Sequence, residues 1–480
     1  MKSNDHRSPF RTVAAIMSVI ILLGCGWWFR GDLKDMLGPK IDSSIPAALR
    51  DDPLADKEVT LKIHQFPQTG SFEYTIRKPF IIRHPSVRIT MTNAPNDSNT
   101  DASKFISWME QEKPDLLQLP MNLYVQLAAE GKLKSIDSFI KSSKFDIDSL
   151  YAPLVQLLRK AGGGELYGLS SDFTSTALFI NEDLFAKYGV PLPKGNITMD
   201  EVLVAAARFQ GTGVSGLDSY YSRNPYRIVN FIGQSMGLQS ISDSGGTMHA
   251  TVESGAWKEV WQKVAGGYKE GWLAKPKPIV YSKGGSTMKD IYKQDLFAQG
   301  KIAMKIDDSY YYRMMNSYES EAGMKLSWST LPLHMDLSAT NQTQYLNTGT
   351  VYAINTDTVN SEAAWELLRF ITGGELVKSS QLSMSINPLS SRETDMKSQP
   401  SNQWKAFYQT NVDPDQVFAE INLYQKNPSN SEVNSQLEQL GSGIMQSVMD
   451  GKITVDAAVH QLQEKLEQVL LMVAKQGGTK

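Results

Sequence analysis

Short β-rich runs alternate with helical segments along most of the chain, and this alternation restricts the fold more than any other feature of the sequence. Residues 59–63 alternate apolar and polar side chains as a strand does, 72–83 have a helical pattern, and 87–92 are again β-rich. A second helical segment, 105–111, leads into the apolar run 114–119. A β-α-β-α-β order joins parallel strands through covering helices, so the sequence predicts an α/β fold with mainly parallel sheets.

The same alternation continues toward the end of the sequence, whose 480 residues suffice for two or three domains. Thr198 and Glu201 form a capping-box pattern that predicts a helix N-terminus, and residues 257–264 carry apolar side chains at helical spacing. Residues 302–306 and 351–354 are predicted strands. Further helices are predicted over residues 364–371, 437–448 and 462–470.

The charge composition excludes some classes of function. The chain has 48 Lys and Arg residues against 51 Asp and Glu residues, and hydrophobic residues make up 41% of it. Nucleic-acid-binding proteins typically carry a basic excess, and disordered chains have few apolar residues. We therefore expect a globular protein without a nucleic-acid partner.

The N-terminus has the pattern of an export signal. Three basic residues precede the apolar stretch 13–29, as in a secretory signal peptide. Residues 22–25 read Leu-Leu-Gly-Cys and resemble the bacterial lipobox, in which the cysteine is acylated and becomes the first residue of the mature protein. Cys25 is the only cysteine, so the chain forms no internal disulfide and no cysteine-based zinc site.

This pattern predicts a signal peptide over 1–24 and a lipid-anchored tether over 25–58, on the outer face of the cytoplasmic membrane. An uncleaved signal anchor is the alternative, because an apolar stretch of about 17 residues is marginally long enough to span a bilayer. Trp27, Trp28 and Arg30 suit a membrane interface. Both interpretations place the rest of the chain outside the cytoplasm.

Patterns for catalysis and metal binding are weak. Residues 233–237 read Gly-Gln-Ser-Met-Gly and match the G-x-S-x-G pattern of α/β-hydrolases, in which Ser235 is the nucleophile. None of the six histidines has a supporting pattern or metal-ligand spacing. Asp307 and Asp308 are adjacent and usually point apart, so they form a poor glycosidase pair. We predict that Ser235 lies in a packed helix, and that the protein is not an enzyme and has no metal or cofactor.

Several segments match a known family in order along the chain. Residues 164–169 read Gly-Glu-Leu-Tyr-Gly-Leu, and 175–185 read Ser-Thr-Ala-Leu-Phe-Ile-Asn-Glu-Asp-Leu-Phe. Residues 297–304 read Phe-Ala-Gln-Gly-Lys-Ile-Ala-Met, and 361–370 read Ser-Glu-Ala-Ala-Trp-Glu-Leu-Leu-Arg-Phe. Together these segments resemble the family 1 extracellular solute-binding proteins of ABC transporters, which include the maltose-binding protein.

The resemblance implies a two-lobed periplasmic-binding-protein-like fold with the ligand cleft between the lobes. Lobe one is expected to comprise residues 59–172 plus 331–385, and lobe two 173–330 plus 386–470, followed by a tail at 471–480. The resemblance also implies that a monomer closes about a hinge on a small ligand, a sugar or oligosaccharide, and delivers it to an ABC permease.

The cleft residues are predicted from the ends of strands, because loops at the carboxyl ends of strands face the ligand in open α/β sheets. Sugar sites combine aromatic rings with side chains that donate and accept hydrogen bonds. By resemblance, Tyr310 falls where maltose-binding proteins carry an aromatic residue that stacks on sugar. The predicted ligand contacts are Gln65, Phe66, Asn122, Asp172, Thr174, Asp307, Asp308, Tyr310, Thr348, Thr350 and Arg392.

Two alternatives remain open for this site. Each predicted contact has a structural role, in a cap or a turn, as its alternative. The protein is also interpretable as a sensor that acts with a sensor kinase and binds a peptide, a polyamine or a uronate. Asp172, Asp307 and Asp308 suit a cation, whereas Arg392 suits an anion.

Overall fold

The computed structural model describes the chain from residue 52 to residue 477 with interruptions. Lys57–Lys480 forms one compact unit. The predicted signal peptide, Cys25 and the predicted tether up to residue 51 lie outside the described residues. The described ranges are 52–55, 57–66, 72–95, 101–219, 224–244, 247–275, 277, 279–334, 345–373, 389–397, 399, 402–426 and 429–477.

The described strands form two main sheets and three two-stranded ribbons. The predicted strands at 59–63, 87–92, 302–306 and 351–354 are all present. In chain order the strands are β1 (Val59–His64), β2 (Val87–Thr92), β3 (Leu116–Leu119), β4 (Gly168–Leu169), β5 (Asp172–Phe173), β6 (Thr176–Asn181), β7 (Ile197–Thr198), β8 (Ser215–Ser219), β9 (Ile241–Ser244), β10 (Thr247–Ala250), β11 (Ile302–Asp308), β12 (Trp328–Leu331), β13 (Leu333–His334), β14 (Val351–Ile354) and β15 (Leu389–Ser390).

Helices connect the strands and pack on the sheets. The predicted capping box is confirmed: Thr198 Oγ1 accepts from Glu201 N at 3.3 Å, and Glu201 Oε2 accepts from Thr198 N at 2.8 Å. A π-helical turn, Glu73–Arg77, precedes the first α-helix. The helices are α1 (Lys78–Arg83), α2 (Ala102–Glu112), α3 (Met121–Ala129), α4 (Asp137–Ser142), α5 (Ala152–Ala161), α6 (Glu182–Tyr188), α7 (Met199–Ala207), α8 (Pro225–Ser235), α9 (Gly255–Glu270), α10 (Met288–Tyr292), α11 (Ser309–Ala322), α12 (Ser361–Thr372), α13 (Glu393–Met396), α14 (Lys405–Gln409), α15 (Pro414–Lys426), α16 (Ser429–Met449) and α17 (Val455–Gly477).

The first sheet has the strand order β2-β1-β3-β14-β4. Strand β1 runs parallel to β2 and β3, as predicted, while β14 runs antiparallel to β3 and β4. The direction reverses because β14 returns to this sheet from its carboxyl edge, after the chain has passed through the second sheet. The prediction of a mainly parallel sheet is therefore correct only for the three strands that come first in the sequence.

The second sheet has the strand order β12-β6-β11-β8. Only β11 and β8 are parallel, whereas β6 is antiparallel to both β11 and β12. Strand β6 is buried along its whole length, and its Phe179 ring stacks on Trp328 with ring centroids 5.8 Å apart. The α/β class is confirmed, but the expected parallel direction is wrong for most of this sheet.

Three chain segments lie side by side between the two sheets. Strands β5 and β15 pair antiparallel, so that Asp172 lies opposite Ser390. Thr174 N donates to Asn347 O at 2.8 Å, and Asn347 N donates back to Thr174 O at 3.1 Å. The connection between the sheets is therefore a small, hydrogen-bonded bundle of extended segments, here termed the crossing segments.

The C-terminal segments divide between the sheets. Helices α16 and α17 pack against α8 and α9, beside the second sheet. Helix α15 instead packs against α5, which contacts β4 of the first sheet, and Tyr151 N donates to Ser391 O at 2.7 Å. Parts of 386–470, the range expected in lobe two, therefore make their contacts with the helical layer of the first sheet.

Candidate functional site

The first sheet presents several predicted contacts at one edge. Gln65 and Phe66 follow the carboxyl end of β1, and Asn122 lies in the first turn after β3. Because β14 is antiparallel to β3, with Val351 opposite Leu119, Thr350 reaches the same edge from the other direction. The structure therefore brings these four residues to the side of the sheet where α/β proteins bind ligands.

Gln118 connects this edge through its side-chain amide. Its Oε1 accepts from Phe66 N at 3.2 Å, and its Nε2 donates to Thr350 Oγ1 at 3.3 Å and to Tyr352 Oη at 3.2 Å. Ser170 Oγ donates to Thr350 O at 2.7 Å. This set of neutral amide and hydroxyl groups, here termed the first-sheet edge, offers donors and acceptors without a formal charge.

The crossing segments hold three further predicted contacts. Asp172 Oδ2 accepts from Ser171 Oγ at 2.8 Å, and Thr174 forms the backbone pair with Asn347. Thr348 is buried, and its hydroxyl has no hydrogen-bond partner among the described residues. These residues therefore lie where the chain passes from one sheet to the other.

Asp172 acts on residues of both sheets. Burial raises the pKa of Tyr352 in the first sheet, and the Asp172 charge raises it further. The pKa of Tyr310, at the start of α11, is also raised first by burial and then by Asp172. The carboxylate of Asp172, in the crossing segments, therefore influences one tyrosine of the first sheet and one tyrosine at the start of α11.

Strand β11 runs directly into α11 at Asp308. Asp308 Oδ1 accepts from Tyr310 N at 2.9 Å and from Tyr311 N at 3.3 Å, which caps the helix. The predicted helix start at Tyr310 is confirmed. Tyr311 and Tyr312 are buried, whereas Tyr310 is 39% exposed, so Tyr310 is the ring of the three that is open to a ligand.

A buried lysine joins two carboxylates beneath this helix. Lys305 Nζ lies 3.1 Å from Asp218 Oδ2 and 3.2 Å from Asp307 Oδ2, and all three side chains are largely buried. Burial favours a neutral lysine, but the surrounding carboxylates outweigh it and raise the pKa of Lys305, which stays charged. Burial also raises the pKa of Asp307 to about 7, against the opposing effect of Lys305.

Asp295 is a further carboxylate near this group, and it is hydrogen-bonded to residues of α11. Its carboxylate accepts from Tyr311 Oη at 2.9 Å and from Tyr318 Oη at 3.3 Å. We term the carboxyl ends of β8 and β11, with Asp218, Lys305, Asp307 and Asp308, the second-sheet edge. Sequence analysis missed Gln118, Asp218 and Lys305, because their roles arise from strand pairing rather than from any local motif.

Arg392 has protein partners for its guanidinium. Its Nε donates to Thr372 O at 2.6 Å, its Nη2 donates to Asp146 O at 3.3 Å, and its Nη1 donates to Ser149 Oγ. The guanidinium also lies over the Phe145 ring, 5.2 Å from its centroid. These contacts give Arg392 a structural role beside the first sheet and do not join it to the other predicted contacts.

The hydrolase pattern has a structural explanation. Ser235 is the last residue of α8, and its Oγ donates to Ile232 O at 2.8 Å, so the predicted packed helix is confirmed. A Cβ at Gly233 would meet the Trp257 ring at 2.2 Å. Gly237 has φ +82°, the left-handed conformation that commonly follows a helix end. Both glycines therefore serve helix packing and termination instead of a nucleophile elbow.

The described residues contain no group of three or more His, Cys, Asp or Glu side chains arranged for a metal ion. Among the helices of the same described ranges, none has the length and apolar character needed to cross a membrane.

Residues 76–397 match the sequence profile of a protein family described as bacterial extracellular solute-binding protein. No curated protein matches the chain. Two solved structures with a similar fold have descriptions that name sugars. The protein from Rhizobium etli is described as a sugar transporter in an open conformation. The protein from Xanthomonas citri is described as the sugar-binding protein MalE.

Solved structures share the fold at low sequence identity. The family 1 extracellular solute-binding protein of Alicyclobacillus acidocaldarius has a TM-score of 0.57 at 17% identity, over 86% of this chain and 98% of its own. The Xanthomonas citri protein has a TM-score of 0.54 at 15% identity, over 88% of this chain and 100% of its own. The Rhizobium etli protein has a TM-score of 0.52 at 16% identity, over 85% of this chain and 99% of its own. The predicted two-lobed fold of the periplasmic solute-binding proteins is thereby confirmed.

Proposed function

The chain belongs to the bacterial extracellular solute-binding protein family, and from this premise we propose that it captures a sugar or oligosaccharide by hinge closure and delivers it to an ABC importer permease. Proteins of this family bind solutes and do not transform them, so the chain is not an enzyme.

The partly exposed ring of Tyr310 is the observation that carries the sugar proposal. A sugar presents an apolar face that packs on an aromatic ring, and hydroxyl groups that need both donors and acceptors. The first-sheet edge supplies such groups through Gln118, Thr350 and Tyr352. The sugar-binding and sugar-transporter descriptions of the Xanthomonas and Rhizobium proteins support the same class of solute.

The arrangement of the two edges supports the proposal of hinge closure. A ligand that contacts both edges binds the closed state more tightly than the open state, so it shifts the population toward closure. The crossing segments are short and joined by backbone hydrogen bonds, so a bend there moves the lobes as bodies. The closed, loaded monomer is then the form that the permease recognises.

Titration with saccharides tests the binding proposal. A ligand that binds only the folded protein increases the free energy of unfolding, by about 2.7 kcal/mol at a ligand concentration of one hundred times Kd, and so raises the melting temperature. We expect at least one mono- or oligosaccharide to raise the melting temperature of the full chain in a thermal-shift screen. A screen in which peptides or uronates stabilise the protein and saccharides do not would contradict the proposal.

The N-terminal sequence supports a location on the outer face of the cytoplasmic membrane. We propose that residues 1–24 are removed, that Cys25 is lipidated and that 25–58 tether the binding domain. Mass spectrometry of the wild-type protein should find an acylated Cys25 at the N-terminus, and Cys25→Ala should abolish the acylation and leave the precursor uncleaved. A wild-type protein without an acyl group, with its N-terminus at Met1, would instead support the uncleaved anchor.

A further inference from the structure

A cavity of about 340 Å³ lies at the carboxyl ends of β8 and β11, beside the first turn of α11. Its wall includes Asp308 and Tyr310, so it adjoins the proposed sugar contact. The volume falls at the lower end of the range for small-molecule pockets, about 300–1,000 Å³. The cavity is therefore large enough for one small unit of a solute.

Carboxylates outnumber cations in the buried part of this wall. Asp218, Asp295, Asp307 and Asp308 line the cavity with a single buried lysine, Lys305. That ammonium is shared between Asp218 and Asp307, while Asp295 and Asp308 rely on hydroxyl and backbone donors. The buried wall is therefore short of positive charge.

The other cations of the wall cannot correct this deficit. Lys275 and Lys277 also line the cavity, but both are exposed. Solvent and salt screen exposed charges strongly, so these side chains compensate a buried carboxylate only weakly. The raised pKa of Asp307, about 7, has the same physical cause, because burial there is not fully offset by a neighbouring cation.

Ser219 provides an independent sign of a missing partner. This residue is 1% exposed and belongs to the cavity wall, and its hydroxyl has no hydrogen-bond partner among the described residues. A buried hydroxyl without a partner carries a desolvation cost that a bound polar group removes. The wall therefore combines uncompensated carboxylates with a hydroxyl that lacks a protein partner.

We propose that this cavity binds a protonated amino group of the solute, which makes an amino sugar the preferred ligand over a neutral sugar. An ammonium donates charge-assisted hydrogen bonds to the carboxylates and to the Ser219 hydroxyl. A neutral hydroxyl group offers a hydrogen bond but no charge, so it leaves the buried carboxylates uncompensated. The inference rests on the proposed sugar-binding function and narrows its solute.

Calorimetric titration of the full chain at pH 7 tests this inference with matched ligands. The probes are a glucosamine disaccharide, its N-acetylated form, a glucose disaccharide of the same linkage, and spermidine. We expect the glucosamine disaccharide to bind at least about tenfold more tightly than the two uncharged disaccharides, a difference of about 1.4 kcal/mol. Equal or tighter binding of an uncharged disaccharide overturns the inference and leaves the proposed function standing.

Two variants connect the preference to the cavity. Asp218→Asn should reduce the affinity difference between the glucosamine disaccharide and the uncharged disaccharides to below about threefold. The substitution removes one carboxylate that would bind the ammonium group of the ligand. Ser219→Ala should weaken the amine ligand several-fold and leave folding intact, since its hydroxyl supports no other group. Asp200→Asn, at an exposed pair with Lys263, is the matched control and should change nothing. A preference that survives both cavity variants overturns the assignment.

The spermidine titration separates the two proposals. Spermidine binding that weakens in Asp218→Asn, without binding of any disaccharide, supports the ammonium site and contradicts the sugar proposal. Absence of binding by all four probes counts against both.

Discussion

The two sheet edges use different chemistry around the same crossing segments. At the first-sheet edge, a neutral amide, Gln118, joins a backbone N–H, a threonine and a tyrosine hydroxyl. At the second-sheet edge, a buried ammonium is held between carboxylates. Neutral donors and acceptors discriminate between ligands by the positions of their hydroxyl groups. Buried charged groups discriminate between ligands by their net charge.

The two edges should also differ in how much stability a substitution costs. Losing one partner of a neutral hydrogen bond costs about 1–3 kcal/mol, while breaking a buried ion pair from one side costs about 3–5 kcal/mol. The second-sheet edge is therefore the less tolerant of change. Four substitutions, in decreasing order of expected effect, test this contrast.

Lys305→Met should have the largest effect, on folding stability. It leaves Asp218 and Asp307 buried without their shared cation, so we expect a loss of about 3–5 kcal/mol in the free energy of unfolding. Urea unfolding followed by tryptophan fluorescence measures it. Lys263→Met, at the exposed pair with Asp200, is the control and should cost less than about 1 kcal/mol. Equal losses in the two variants would remove the contrast between buried and exposed pairs.

Tyr310→Ala should affect binding rather than stability. The ring is 39% exposed, so its truncation should leave the melting temperature within a few degrees of wild type. By analogy with aromatic stacking on bases, it should weaken saccharide binding by about 1–3 kcal/mol, or roughly 5- to 150-fold. Tyr74→Ala, at a ring that is 69% exposed on the first helical segment, should change neither quantity. A large loss of stability with unchanged affinity would remove Tyr310 from the site.

Gln118→Met tests the first-sheet edge. The substitution keeps the length of the side chain and removes its three hydrogen bonds, which leaves Phe66 N without its acceptor. We expect a loss of about 1–2 kcal/mol in stability and weaker saccharide binding. Gln126→Met, at an exposed contact with Glu130, is the matched control for both measurements. Unchanged binding would assign Gln118 a structural role alone.

Ser235→Ala should have the smallest effect. It removes one hydrogen bond to Ile232 O, worth about 1 kcal/mol. This hydrogen bond involves no residue of either sheet edge. Ligand affinity should equal that of wild type. Esterase activity that is present in the wild type and absent in this variant would contradict the assignment as a binding protein.

Local signals in the sequence predicted the elements well. The capping box at Thr198 and the strands at 87–92 and 351–354 depend on neighbouring residues, and the structure has them where the pattern indicated. The helix start at Tyr310 also followed from a strand that ends in capping carboxylates. In each of these cases the deciding interactions span only a few residues of sequence.

Long-range pairing set the limits of prediction. Gln118 and Thr350 are 232 residues apart, and Lys305 and Asp218 are 87 apart, so no spacing in the sequence reveals either pair. Arg392 was expected to suit an anionic ligand, but its guanidinium contacts carbonyl and hydroxyl groups that only the fold brings near it.

The position of β14 has a consequence for how the chain is made. This strand completes the first sheet between β3 and β4, yet it leaves the ribosome after the whole second sheet. At about 5–20 residues per second, the synthesis of the 232 residues between Gln118 and Thr350 takes roughly 10–50 s. During that interval the first sheet lacks the strand that lies between β3 and β4. The interrupted order of its strands thus makes the completion of the first sheet a late event in synthesis, after the second sheet has emerged.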